Sequence, residues 1–205
     1  TIDSLMDKDG YKAVYIATGA HHSRRMDVPG EDAKEGVIPG IQFLKAYNLH
    51  GRELAHGRVG VIGGGNSAID AARVALRHKR VDSVTVFYRR TQAEMPAYRE
   101  EIDAAEEEHI EIRTLAAPVE VLTTNGKLTG LKLVKCKLGE PDASGRRQPV
   151  PIPGSEELVP LDTLIVAIGE RPDSEQLAVM GLDIDKAGRL RVDAHTLRTS
   201  REGVF

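Results

Sequence analysis

A strand that runs straight into three glycines and out again into a helix governs what this chain can become. Val59-Gly60-Val61-Ile62 is short and apolar, and Gly63-Gly64-Gly65 follows it directly. From Asn66 to His78 the apolar residues Ala68, Ile69, Ala72, Val74, Ala75 and Leu76 recur at helical spacing, with Asp70, Arg73 and Arg77 between them. His78-Lys79-Arg80 closes the helix with positive charge, which suits a helix C-terminus. Val84 to Tyr88 reads as a second strand, Tyr98 to His109 as a second helix with Ile102 and Ala105 inward and a solvated Glu-rich outer face, and Ile110-Glu111-Ile112 as a third strand. Strands alternating with helices across short links imply a parallel sheet with right-handed crossovers.

The rhythm then changes. Val119 to Thr124, Leu128 to Leu138 and Leu158 to Pro160 have no helix between them, and Asn125-Gly126 is a strong hairpin signal. An antiparallel meander is expected here, with Glu140 to Gly154 as a loop inside it. Thr163 to Ile168 reads as another buried strand, ending at Gly169. On the N-terminal side, Tyr11 to Ala17 reads as a buried strand that runs into a Thr18-Gly19-Ala20 turn. Residues 21–40 carry Pro29, Gly30, Gly36 and Pro39 and read as a loop or linker. Pro39 to Asn48 reads as a short helix with Pro39 in its first turn. The expected class is α/β: a Rossmann-like parallel sheet with an antiparallel β-meander.

Composition narrows the function. With 205 residues, 40% hydrophobic and 29% charged, the chain can bury a core. A net charge of −3 and only 4% aromatic residues argue against nucleic-acid binding. No apolar run has the length of a membrane helix, and the polar start at Thr1 lacks a signal-peptide pattern, so a cytoplasmic location is expected. One cysteine, Cys136, leaves no disulfide framework and no Cys-clustered metal site; it reads as a small packed hydrophobe. His21 and His22 have no ligand cluster around them and read as surface residues. The chain lacks an initiator Met and stops on Val204-Phe205, so it is expected to be a piece of something longer.

Gly63-Gly64-Gly65-Asn66-Ser67-Ala68 matches the dinucleotide pattern G-x-G-x-x-A, set between a strand and a helix as that pattern requires. Gly63 makes the tight turn, Gly65 lets a pyrophosphate approach the backbone, and Ala68 keeps the helix close to the sheet. Unpaired amides at the helix start then face the phosphates. The alternative is the same turn with no ligand. At the end of the second strand, where NAD-binding units carry an acid, the sequence reads Tyr88-Arg89-Arg90-Thr91. Two guanidiniums here suit a 2′-phosphate and hence NADPH; alternatively one of them points to solvent and pairs with Glu94 or Glu100. Asp70 is either a solvated helical acid or a residue near the nicotinamide.

The run from Gly60 to Arg73, the run Val84 to Arg90 and the Glu94-Met95-Pro96-Ala97 segment resemble the NADPH-binding domain of glutamate synthase small-subunit-like flavoproteins. That group lies within the pyridine nucleotide-disulfide oxidoreductase superfamily. The resemblance implies an NADPH domain inserted within an FAD domain: 1–50 the end of an FAD-domain segment and a linker, 51–170 the NADPH-binding domain, 171–205 the start of the return segment. Thr18 and Gly19 match the family's A-T-G turn, and Ala167, Ile168 and Gly169 its return crossing beside the nicotinamide. Gly63, Gly64, Gly65, Asn66, Ser67 and Ala68 are implied at the pyrophosphate, Arg89 and Arg90 at the 2′-phosphate, and Asp70 nearer the nicotinamide. The implied activity is hydride transfer from NADPH to FAD, with electrons passed on to iron–sulfur centres outside this chain. FAD is expected of the full-length protein, since the family's FAD glycine motif and flavin-binding Asp are not in these residues. The implied partners are the FAD domain of the same polypeptide and a large-subunit or iron–sulfur protein. A regulatory or interaction module that binds NAD(P) without catalysis is the alternative.

Overall fold

The computed structural model describes residues 1–142 and 145–205. The chain forms two compact units, one of Thr1–His22 with Glu170–Phe205 and one of Ser23–Gly169. Two short strands, β1 (His22–Ser23) and β11 (Glu170–Arg171), stand where the chain passes between them.

The larger unit is built on a five-stranded sheet. Its strands are β2 (Val37–Pro39), β3 (Gly57–Ile62), β4 (Val81–Tyr88), β5 (Glu111–Thr114) and β10 (Thr163–Val166). They lie in the order β2-β10-β3-β4-β5, and every neighbouring pair is parallel. Helices α1 (Gly40–His50), α2 (Asn66–Leu76) and α3 (Arg99–Glu107) connect them. The antiparallel strands are β6 (Ala116–Thr124), β7 (Lys127–Pro141), β8 (Arg147–Pro151) and β9 (Glu157–Pro160), with β7 pairing all three others.

The apolar runs of the parallel strands bury both faces, because alternate side chains enter different cores. Val61, Val86 and Ile165 pack with Ile69, Ala72 and Ile102 of the helices. Ile62, Phe87, Leu164 and Val166 pack instead with Val121, Leu131 and Leu133 of the antiparallel sheet. Asn125 and Gly126 both have positive φ, 54° and 79°, as a tight hairpin turn between β6 and β7 requires. The expected class, a Rossmann-like parallel sheet with an antiparallel meander, is the one found.

Several expectations of detail are corrected. Residues 21–40 are not only a loop: Val37–Pro39 is an edge strand, held by Leu164 and Val166 of β10. The first helix begins at Gly40, with Pro39 in extended backbone just before it. The larger compact unit of this structure starts at Ser23, and α1 buries Phe43 in the same core as the sheet. Residues 140–154 hold β8, paired with β7 through Cys136 to Leu138; positions 143 and 144 of that expected loop lie outside the described residues. The last parallel strand ends at Val166, two residues early.

The smaller unit has its own apolar cluster of Ile2, Leu177, Leu182 and Val204, with a π-helical turn at Ser4–Lys8 and the short helix α4 (Ser174–Val179). The stretch 11–17 is no buried strand. It makes a bridge from Val14 to Val204, and Tyr11 and Tyr15 are exposed.

Candidate functional site

The glycine turn sits at the carboxyl end of β3, in the middle of the sheet between β10 and β4. Gly63 has a φ of +147°, and a Cβ there would lie 2.2 Å from the Ala167 carbonyl oxygen and 2.9 Å from the Ala68 Cβ. No side chain fits between these groups, so glycine at 63 and a small residue at 68 are both steric requirements. Gly64 is glycine for a different reason. A Cβ would stand 2.5 Å from the ring of Tyr88, whose hydroxyl donates to the Glu94 carbonyl at 2.8 Å. Gly65 is the residue before α2, and a Cβ there would meet only Pro96 Cγ, at 3.8 Å. Its outer face is open.

At that open face the helix presents unpaired donors. The amides of Ala68 and Ile69 both turn back to the Gly65 carbonyl. Among the described residues, those of Gly65, Asn66 and Ser67 have no acceptor. Three amides and the positive end of an eleven-residue helix are the donors that an anionic group such as a phosphate would need. A second segment is tied to it. The Ala97 amide donates to the Gly64 carbonyl at 3.1 Å, and the Tyr98 amide to Asn66 Oδ1 at 2.9 Å. Asn66 thus anchors the start of α3. That contact, and the packing of Tyr88 on Gly64, were not read from the sequence, because neither residue has a local pattern that names its distant partner.

The two arginines part company. Arg89 is exposed. Arg90 is 4% exposed, and its guanidinium is spent inside the protein: Nε donates to the Arg147 carbonyl at 2.6 Å and Nη2 to Asp142 at 2.8 Å. Arg90, expected to face a ligand, thus already bonds within the protein through Nε and Nη2. Its partners are Asp142, just past the end of β7, and Arg147 of β8, more than fifty residues on, rather than Glu94 or Glu100. Glu94 closes a capping box instead: its carboxylate accepts from the Thr91 amide and hydroxyl at 3.0 and 2.7 Å. Those bonds, chiefly the hydroxyl, hold it below the usual carboxylate range. The acid nearest the end of β4 is already occupied.

Asp70 is exposed on α2, and burial beside Glu101 raises its carboxyl while Arg73 lowers it. Its electrostatic neighbours lie on α2 and α3. Arg73 in turn bonds Glu108 at 2.8 Å and Glu101 at 2.6 Å, so part of the acidic face expected to be solvated clamps α3 to α2. Ala167 is buried, and its amide donates to the Ile62 carbonyl at 2.8 Å, which brings the crossing directly against the glycine turn. Ile168 is 37% exposed, and the Gly169 carbonyl accepts from the Arg24 amide at 2.9 Å. Thr18 and Gly19 belong to the smaller unit, where both are exposed and His21 Nε2 lies 2.8 Å from the Thr18 carbonyl. Cys136 is buried, which raises its thiol, and among the described residues no group of His, Cys, Asp and Glu suits a metal. No helix among those residues is long and apolar enough to cross a membrane.

The pyridine nucleotide-disulphide oxidoreductase family matches residues 4–205. The chain is 44% identical over 208 residues to the NADP(+)-dependent formate dehydrogenase subunit beta of Moorella thermoacetica, a match that takes in all of this chain and 29% of that protein. It is 35% identical over 209 residues to the glutamate synthase [NADPH] small chain of Halomonas elongata, covering 95% of this chain and 44% of that one. The chain thus spans less than half the length of either relative. Among solved structures it resembles FprA of Mycobacterium tuberculosis in complex with NADPH, with a TM-score of 0.71 and 21% identity over 85% of this chain and 53% of the other. That likeness is one of fold.

Proposed function

From the premise that the chain belongs to the pyridine nucleotide-disulphide oxidoreductase family, we propose that its larger unit is the NADPH site of a flavoprotein oxidoreductase. The observation that carries this is the turn at Gly63–Ser67, with one glycine locked beneath the Ala167 carbonyl, the next packed on Tyr88, and the third left open before unpaired amides. A glycine turn serving only the fold needs the first two. The open third suits a pyrophosphate at the backbone.

NADPH, held by these residues, would supply a hydride to FAD of the full-length protein. The residues of this chain bind and orient. The amides of Gly65, Asn66 and Ser67 hold the pyrophosphate, and the α2 dipole favours its charge. Ala68 keeps that helix close. Arg89 reads the 2′-phosphate, since Arg90 is committed to Asp142. Glu94 is folded onto Thr91 and so is not the acid that would select the free ribose hydroxyl of NADH. Ala167, Ile168 and Gly169 form the wall nearer the nicotinamide. No acid or base is required, because the transferred group is a hydride. Electrons then pass to iron–sulfur centres on a partner protein, in the manner of a glutamate synthase small chain, and the whole acts in the cytoplasm. The relatives named as NADP(+)-dependent and NADPH-dependent enzymes support this reading.

The test is to titrate the full-length protein with NADPH and NADH and to follow its flavin absorbance. Tight NADPH binding with flavin bleaching supports the proposal. Binding without bleaching leaves a nucleotide-sensing module, and no binding of either overturns the assignment.

A further inference from the structure

The segment Met95–Tyr98 does more than connect β4 to α3. Met95 and Ala97 are buried, at 8% exposure each, while Pro96 and Tyr98 alternate with them on the outside. The outer side of this segment borders the phosphate site. Among the described residues outside its chain neighbours, Pro96 alone comes within 4 Å of a Cβ placed on Gly65. The backbone is fixed to the glycine turn at two points, Ala97 to Gly64 and Tyr98 to Asn66. Tyr98 is nonetheless 67% exposed, a large aromatic ring in water at the start of α3.

Tyr98 has its backbone fixed to the first residue of α2 and its ring outside the core, which leaves the ring available to a ligand. Its phenol carries one hydroxyl donor, and its ring offers an apolar face. We propose that Tyr98 contacts the bound dinucleotide at its pyrophosphate, the hydroxyl donating to a phosphate oxygen and the ring covering the ribose beside it, with Pro96 as the adjoining wall. The proposal rests on the nucleotide reading above and adds a residue outside the glycine pattern. The pyrophosphate is common to NADPH and NADH, so Tyr98 strengthens both equally and has no part in choosing between them.

The test compares full-length wild-type protein with Tyr98→Ala, Tyr98→Phe and Gly65→Val, each titrated calorimetrically with NADPH and NADH, with a thermal melt on every variant. Tyr98 is exposed, so the melts of its variants are expected to match wild type. Tyr98→Ala is expected to weaken both nucleotides by a common factor of about ten, the size of one hydrogen bond to a charged group, and Tyr98→Phe by less. Unchanged binding in Tyr98→Ala beside a loss in Gly65→Val overturns the proposal and leaves the nucleotide reading standing. A loss confined to NADPH overturns it as well. If wild type binds neither nucleotide, the underlying reading fails and this one with it.

Discussion

The Arg90 guanidinium donates to Asp142 Oδ2 at 2.8 Å, so a charge two residues past β4 is joined to the residue that follows the antiparallel strand β7. Arg90 is 4% exposed and Asp142 28%. A cation that deep needs its counter-ion and its acceptor, here the Arg147 carbonyl, or it cannot stay charged at low cost. The pair therefore fastens β7 and β8 to the parallel sheet next to the proposed nucleotide site.

Arg90→Ala removes the cation of this pair, while Asp142 keeps the Arg146 amide on Oδ1. Asp142 is partly solvated and recovers some hydration, so Arg90→Ala is expected to cost about 2–3 kcal/mol, below the full range for buried pairs. Urea denaturation of the variant checks this. Nucleotide affinity is expected to fall alike for NADPH and NADH. A loss specific to NADPH would return Arg90 to the 2′-phosphate.

Arg89 is expected to behave in the opposite way. It is exposed and has no ion-pair partner among the described residues, so Arg89→Ala leaves stability within about 0.5 kcal/mol. Without a guanidinium for the 2′-phosphate, NADPH affinity is expected to fall about tenfold or more while NADH is nearly unchanged. Paired titrations of wild type and variant decide it, and equal losses would show that Arg89 does not read that phosphate.

The sequence made the parallel core readable because Val, Ile and Leu runs flanked by glycine are strands whatever surrounds them. The turn at Gly63 was readable for the same local reason: strand, glycines and helix are contiguous. What depends on distant partners was not. Val37–Pro39 becomes a strand only because Leu164–Val166 lies beside it, and that pairing leaves no mark near residue 37. Arg90 looked like a ligand residue because the residues around it do; its actual partner lies 52 positions away. The 140–154 stretch read as a loop from its Pro, Gly and Ser content, yet Pro149 and Pro151 take places in β8, whose free edge needs no amide from them.

Two glycines of one turn are expected to respond differently to a methyl group. Gly63→Ala places a Cβ 2.2 Å from the Ala167 carbonyl oxygen at a φ of +147°, and the backbone must shift. A loss of about 3 kcal/mol is expected, with nucleotide binding lost alongside. Gly65→Ala meets only Pro96 Cγ at 3.8 Å, at an ordinary negative φ, so it costs under about 1 kcal/mol. Its methyl still projects into the phosphate approach, and binding of both nucleotides is expected to weaken. Melts and titrations of the two variants separate the steric role from the ligand role.

The pH dependence of stability is expected to carry a mark of His78. Its side chain is 2% exposed, packed between the rings of Phe43 and Tyr47, with Nδ1 accepting from the Ala55 amide at 3.2 Å. The proton of the neutral ring is therefore on Nε2, which is buried without a partner among the described residues. Charging the ring would place a second proton on Nδ1 and break the bond from Ala55. Burial lowers the His78 pKa below 6.5, against a smaller opposing pull from Glu53. The unfolded chain thus takes up this proton first. The stability His78 contributes is complete above its unfolded value and is lost as pH falls from there through its folded value. Thermal melts from pH 8 down to about 5 are expected to fall more steeply for wild type than for His78→Leu, by up to about 1.4 kcal/mol per pH unit. His78→Leu is less stable overall, since Ala55 loses its acceptor, so the slope and not the midpoint is the readout. Parallel slopes would mean that the buried ring does not control the titration.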